Sequence, residues 1–130
     1  MNPTTQLVDC IDTIYLPVKD KQESINWYEE KLGLTWNGIC FNLGSGPTIM
    51  LVTANDPESA NLTYLTDDWE GTNYPMQLLT FHTNDIESAH HQLIDRGVEV
   101  STLNTYDNNR KNFRFYDLNG NRFDVWSGWL

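Results

Sequence analysis

Few side chains in this 130-residue sequence have the chemistry to hold a metal or move a proton. His82, His90 and His91 are the only histidines, and Cys10 and Cys40 the only cysteines. His90 and His91 are adjacent on a helical pattern, so they point to different faces and read as surface or edge residues. The cysteines are too few for a disulfide framework and lack a CxxC spacing, so both read as small buried thiols. Asp124 is the sharpest candidate. It sits between apolar Phe123 and Val125 in an alternating strand pattern. A carboxylate facing an enclosed space must be paired, because an isolated one costs several kcal/mol or takes up a proton. Arg114 or Arg122 would serve within the protein, and an amine would serve on a ligand. His82 shares strand parity with Leu78 and Thr80, but the sequence identifies no partner that would make it an acid or base.

The elements that must position these residues repeat. Asp20, Glu23, Ser24 and Gly33 recur as Asn84, Glu87, Ser88 and Gly97, each 64 residues later. Each set opens on a helix N-cap candidate and closes on a Gly where a helix would end. The flanking strands repeat at 65 residues, Ile14 matching Leu79 and Leu16 matching Phe81, which suggests a one-residue deletion in the second strand-to-helix turn. Ile25, Tyr28 and Leu32 form the buried stripe of the first helix, and Ile86, Ala89 and Leu93 that of the second. Strand patterns cover Cys10 to Val18, Ile39 to Leu43, Thr48 to Thr53, Met76 to His82, Val98 to Leu103, Asn112 to Tyr116 and Arg122 to Trp126. Each half reads β-α-β-β-β, and the class is α+β. The chain is one domain, with module one at about 8–53, a connection at 54–75 and module two at about 76–130. Tyr64, Trp69 and Tyr74 anchor the connection, while Asp67, Asp68 and Glu70 face water.

Net charge is -10. This argues against nucleic acid and anionic membranes, which need clustered Lys and Arg, and it suits a cationic ligand. There is no apolar run of membrane length, and the N-terminus lacks the basic and apolar regions of a signal peptide, so the expected compartment is the cytoplasm.

Three segments in order, LPVKD-x3-S-x2-WYEEKLGL, FHTNDIESAHHQLIDRGVEV and FYDLNGNRFDVW, resemble the vicinal oxygen chelate superfamily. That superfamily includes glyoxalase I, extradiol dioxygenases, fosfomycin-resistance enzymes and the bleomycin-resistance binding proteins. The resemblance implies two βαβββ modules whose curled mixed sheets surround a shared cavity. Metal-dependent members place His or Glu at up to four cavity positions, which here carry Thr13, Met50, Leu78 and Asp124. Thr13 is a weak neutral donor, Met50 a soft thioether and Leu78 no donor, whereas a divalent cation needs several oxygen or imidazole ligands. No metal or other cofactor is therefore expected.

Strand alternation then assigns the cavity to Thr13, Tyr15, Met50, Leu78, Thr80, His82, Arg122, Asp124 and Trp126. The inward face of the 112–116 strand is left open. Trp27 reads as structural, while Trp36, Trp126 and Trp129 are candidates for the core, for ligand stacking or for a dimer interface. The expected function is metal-independent binding of a small hydrophobic or cationic molecule, as in the bleomycin-resistance proteins. Two alternatives stay open: a divergent lyase, isomerase or dioxygenase, and a structural or regulatory module without a small ligand. The resemblance and the apolar C-terminal WSGWL also imply a homodimer.

Overall fold

The computed structural model describes residues 5–56, 63–68 and 71–128. Trp69, Glu70, Trp129 and Leu130 lie outside the described residues. The chain divides into two compact units, Met1–Thr53 and Ala54–Leu130. The architecture is mixed α+β, and the described residues form two α-helices and several sheets with no closed barrel among them. No described helix is long and apolar enough to cross a membrane.

In the first unit, β1 (Thr13–Val18) pairs in parallel with β2 (Thr48–Thr53), and α1 (Lys21–Leu32) connects them. The Asp20 carboxylate caps α1 by accepting from the Glu23 N–H at 2.8 Å. Gly33 ends the helix with φ at 71°, a left-handed conformation that costs Gly little. Leu16, Val18, Ile25, Tyr28, Phe41, Ile49 and Leu51 form the core. Tyr28 and Trp36 both pack on Phe41, with ring centroids 5.7 and 5.0 Å away. Leu32 is only half-buried, and Ser24 takes the fully buried place on the helix.

The expected strand at Ile39 to Leu43 shrinks to bridges at Phe41, which pairs with Trp36 and Ile49. Local side chains win over the ladder here. Asn37 Oδ1 accepts from the Ile39 and Cys40 N–H groups, and Asn42 Oδ1 accepts from the Gly44 N–H. Such Asn bonds compete directly with sheet formation. The thiols also differ from expectation, since Cys10 is exposed and Cys40 half-buried.

The second unit opens with a hairpin, β3 (Thr63–Thr66) antiparallel to β4 (Tyr74–Gln77). This pairing falls where the sequence suggested an irregular connection. The long strand expected from Met76 to His82 is broken. Its first part belongs to β4, the chain bends at Leu78, and β5 is only Thr80–His82, with the Leu79 carbonyl accepting from the Asp124 N–H at 3.2 Å. β5 joins a four-stranded sheet in the order β5-β8-β7-β6, with β6 at Asn104–Thr105, β7 at Lys111–Tyr116 and β8 at Arg122–Trp126. Val100 makes only a bridge to Phe115, so the strand expected at Val98 to Leu103 is largely absent.

α2 (Ile86–Asp95) is capped by Asp85, whose carboxylate accepts from the Ser88 N–H at 3.1 Å. The cap is therefore Asp85 and not Asn84. Caps as well as strands repeat at 65 residues, while Gly33 and Gly97 keep the 64-residue spacing, so the one-residue deletion falls between the cap and the closing Gly. Below α2, Phe81, Phe115 and Phe123 pack as a ring cluster with centroids 5.2 to 5.9 Å apart. His90 is half-buried and packs at the edge of this layer. Its ring lies 4.8 Å from that of Phe113, and its Nε2 bonds the Ser101 carbonyl at 2.8 Å.

Candidate functional site

The helix-covered face of the second sheet carries Phe113, Phe115, Phe123 and Val125. Because strand side chains alternate, Asn112, Arg114, Tyr116, Arg122, Asp124 and Trp126 share the opposite face. This settles the face of the 112–116 strand. Strand register then arranges the residues in rows. Thr80, Asp124 and Arg114 form one row, and His82, Trp126 and Asn112 the next.

Register itself comes from the β7–β8 turn. Asp117 is nearly buried, and its Oδ1 accepts from the Asn119 and Asn121 N–H groups at 2.8 and 2.9 Å. Its Oδ2 accepts from Asn121 Nδ2 at 3.0 Å. The acid in FYDLNGN is thus consumed as a turn clamp.

A cavity of about 270 Å³ opens on this face. Tyr74 and Met76 from β4 line it, with Gln77, Thr80, Tyr106, Asn112, Asp124 and Trp126. Tyr106 and Trp126 meet nearly edge to face, their centroids 6.0 Å apart at 63°. Asp124 stands at the centre of the polar side. Its Oδ1 accepts from Asn112 Nδ2 at 2.8 Å, and the Thr80 hydroxyl also donates to it. Asn112 Oδ1 in turn accepts from Asn104 Nδ2 at 3.3 Å, which orients the amide. Burial pushes the Asp124 carboxyl above its ordinary value, and its two donors together with the nearby Arg114 charge only partly offset this.

Of the nine residues expected in a cavity, Thr80, Asp124 and Trp126 line this one. Leu78 does not, because the bend leaves it 69% exposed. His82 does not line it either. Its imidazole lies against Gly128, where an added Cβ would sit 3.1 Å from Nε2. Arg122 is drawn over the Tyr116 ring, 5.4 Å from its centroid. Thr13, Tyr15 and Met50 belong to the first unit. There Thr13 Oγ1 donates to Asp12 Oδ2 at 2.6 Å, Tyr15 is 66% exposed, and Met50 is half-buried opposite Tyr15 in register. Tyr74, Met76, Gln77, Tyr106 and Asn112 were missed by sequence reasoning. For Asn112 a signal existed, since counting outward from the turn places it opposite Trp126.

A family model described as the Glyoxalase/Bleomycin resistance protein/Dioxygenase superfamily matches residues 10–125. The chain belongs to that superfamily. No curated protein matches it closely enough to add a nearer relative. Solved structures similar in fold include a superfamily member from Sphaerobacter thermophilus DSM 20745, at 18% identity and TM-score 0.65, covering 93% of this chain and 98% of that one. An antibiotic binding protein from Streptomyces sp. CB03234 gives 20% identity and TM-score 0.64, covering 94% and 98%. An integron cassette protein from the mobile metagenome of V. Cholerae gives 20% and 0.62, covering 95% and 98%.

The donor set does not fit the divalent metal that many superfamily members use. Among the described residues, no three His, Cys, Asp or Glu side chains come together. The neighbours of Asp124, Asn112 and Thr80, are neutral and add no charged oxygen or imidazole to this one carboxylate.

The raised Asp124 carboxyl has a measurable signature. Between the ordinary value of 3.8 and its raised folded value, the native protein holds a proton that the unfolded chain has released. The Asp124 contribution to stability therefore falls as pH rises through that window and is constant above it. Asp124→Asn removes the ionisation and keeps an acceptor for Asn112. Relative to the parent, the variant should gain stability as pH rises from about 4 toward neutrality, then level off. Urea unfolding of both proteins across this range checks it, and parallel curves would contradict it.

Proposed function

We propose that this chain binds, without a metal, a small molecule that carries a cation and one or two rings, and acts by sequestering it. The carrying observation is the half-buried Asp124 on the wall of a cavity lined by Tyr74, Tyr106 and Trp126. A cavity of about 270 Å³ is at the small end for ligand sites, so it suits a compact ligand or one ring system of a larger one. Aromatic walls stack on flat rings and attract cations through their π faces. An ammonium brought to Asp124 offsets the desolvation of the acid and keeps it ionised. The net charge of -10 favours approach of such a ligand. The fold likeness to an antibiotic binding protein supports the binder reading over catalysis.

Phenethylamine is a suitable probe, and isothermal titration calorimetry at neutral pH a suitable measurement. Binding should survive EDTA. Asp124→Asn keeps the shape and removes the charge, so affinity should fall roughly ten- to a hundredfold, the worth of a charge-assisted hydrogen bond. A ligand-dependent change in tryptophan fluorescence should be reduced in Trp126→Phe. Binding that requires a metal, or that ignores the Asn substitution, would contradict this reading.

We also infer that two copies associate. In the first unit, Leu7, Val8 and Ile11 are 86, 75 and 72% exposed in the segment before β1, an arrangement that favours cover by another chain. Sedimentation velocity at micromolar concentration should give a species of twice the 15.1-kDa chain mass. A single 15.1-kDa species would contradict it.

A further inference from the structure

Arg114 stands next to Asp124 in the same row, on the neighbouring strand β7. Its backbone is fixed from both sides, since its N–H donates to Ser101 Oγ and its carbonyl accepts from the Ser101 N–H, each at 2.8 Å. Its guanidinium lies over Tyr74, 5.6 Å from the ring centroid, and Tyr74 is a wall of the cavity. Arg114 is thus held behind the Tyr74 wall, beside Asp124 in register, and is not itself one of the residues that line the cavity.

Its hydrogen bonding is incomplete. Arg114 Nε is buried and has no acceptor among the described residues. The adjacent acid does not supply one. Asp124 accepts from Asn112 and Thr80, and no ion pair joins it to Arg114. An arginine N–H left buried without an acceptor is costly, and a ligand acceptor that reaches it recovers that cost. The second arginine of this face, Arg122, is engaged with Tyr116 and leaves Arg114 as the cation nearest the acid.

We infer that the occupant of this site is bipolar, with an ammonium held by Asp124 and a carboxylate or equivalent anionic acceptor held by Arg114. A zwitterion fits this pair better than a simple cation. The acid and the arginine place opposite charges side by side, so a lone ammonium feels repulsion from Arg114, whereas an amino-acid-like head group meets both charges with complementary ones. The ring of the same molecule packs against Tyr74, Tyr106 and Trp126. This inference rests on the cation-binding reading above and adds a second pole to it.

Phenylalanine and phenethylamine differ only by the carboxylate, so comparing them by isothermal titration calorimetry isolates the Arg114 pole. Phenylalanine should bind roughly tenfold tighter or more, as expected for a charge-assisted hydrogen bond. Arg114→Met should abolish that advantage. Because loss of the guanidinium also removes its contact with Tyr74, Arg114→Lys is the second variant. It keeps a cation near the ring but lacks the Nε–H fork. Its phenylalanine advantage, taken against its own phenethylamine affinity, should be reduced at least severalfold. Equal affinity for the two probes would overturn the bipolar assignment and leave the cation site standing. An advantage that survives both substitutions would overturn the role of Arg114. Failure of both probes to bind would overturn the bipolar assignment and the cation site together.

Discussion

The register of β7 against β8 is the constraint on which the site depends. Three donors close on the buried Asp117 carboxylate and hold the turn in one geometry. With that turn fixed, Tyr116 must face Arg122, Arg114 must face Asp124, and Asn112 must face Trp126. A slip of one residue would send Asp124 into the phenylalanine layer under α2 and bring Phe123 or Val125 to the cavity. The apolar layer enforces the same choice from the other side, because Phe113, Phe115 and Phe123 fill the space beneath the helix. Turn chemistry and core packing therefore agree, and agreement across levels gives a single register.

Placing Asp124 in this way leaves the site under electrostatic tension. Its partners are an amide, a hydroxyl and a cation that forms no ion pair with it, and burial dominates over all three. Arg114 is in the complementary position, with one N–H out of contact with any acceptor among the described residues. Groups of this kind reduce stability and persist where function uses them. The aromatic walls supply the rest of the chemistry, since π faces accept a cation or a ring without demanding hydrogen bonds.

Much of the fold was legible in the sequence because it rests on local signals. The caps at Asp20 and Asp85, the helix-ending Gly33 and Gly97, and the alternation of Phe113, Phe115, Phe123 and Val125 each announce their element. The cap of the second helix was displaced by one residue because Asn84 and Asp85 are both good caps and only geometry selects between them. Strands at Ile39 to Leu43 and Val98 to Leu103 were over-read, since alternation cannot report that Asn37 and Asn42 compete for the backbone. Three of the eight residues that line the cavity were legible. Thr80, Asp124 and Trp126 follow from strand parity, but Tyr74 opens β4 in a stretch whose sequence shows no period, and Tyr106 lies in a loop. Leu78 was lost to a bend that nothing in its apolar neighbourhood signals.

The most direct test of Asp124 as an acid awaiting a cation is its own titration, followed by carboxyl ¹³C NMR with and without saturating phenethylamine. The free protein should titrate Asp124 above 3.8, the ordinary value, and the ligand should move that midpoint downward, because an ammonium beside the carboxylate favours its charged form. A midpoint that stays put when the ligand binds would show that the cation sits elsewhere, and the assignment of the site to Asp124 would fail.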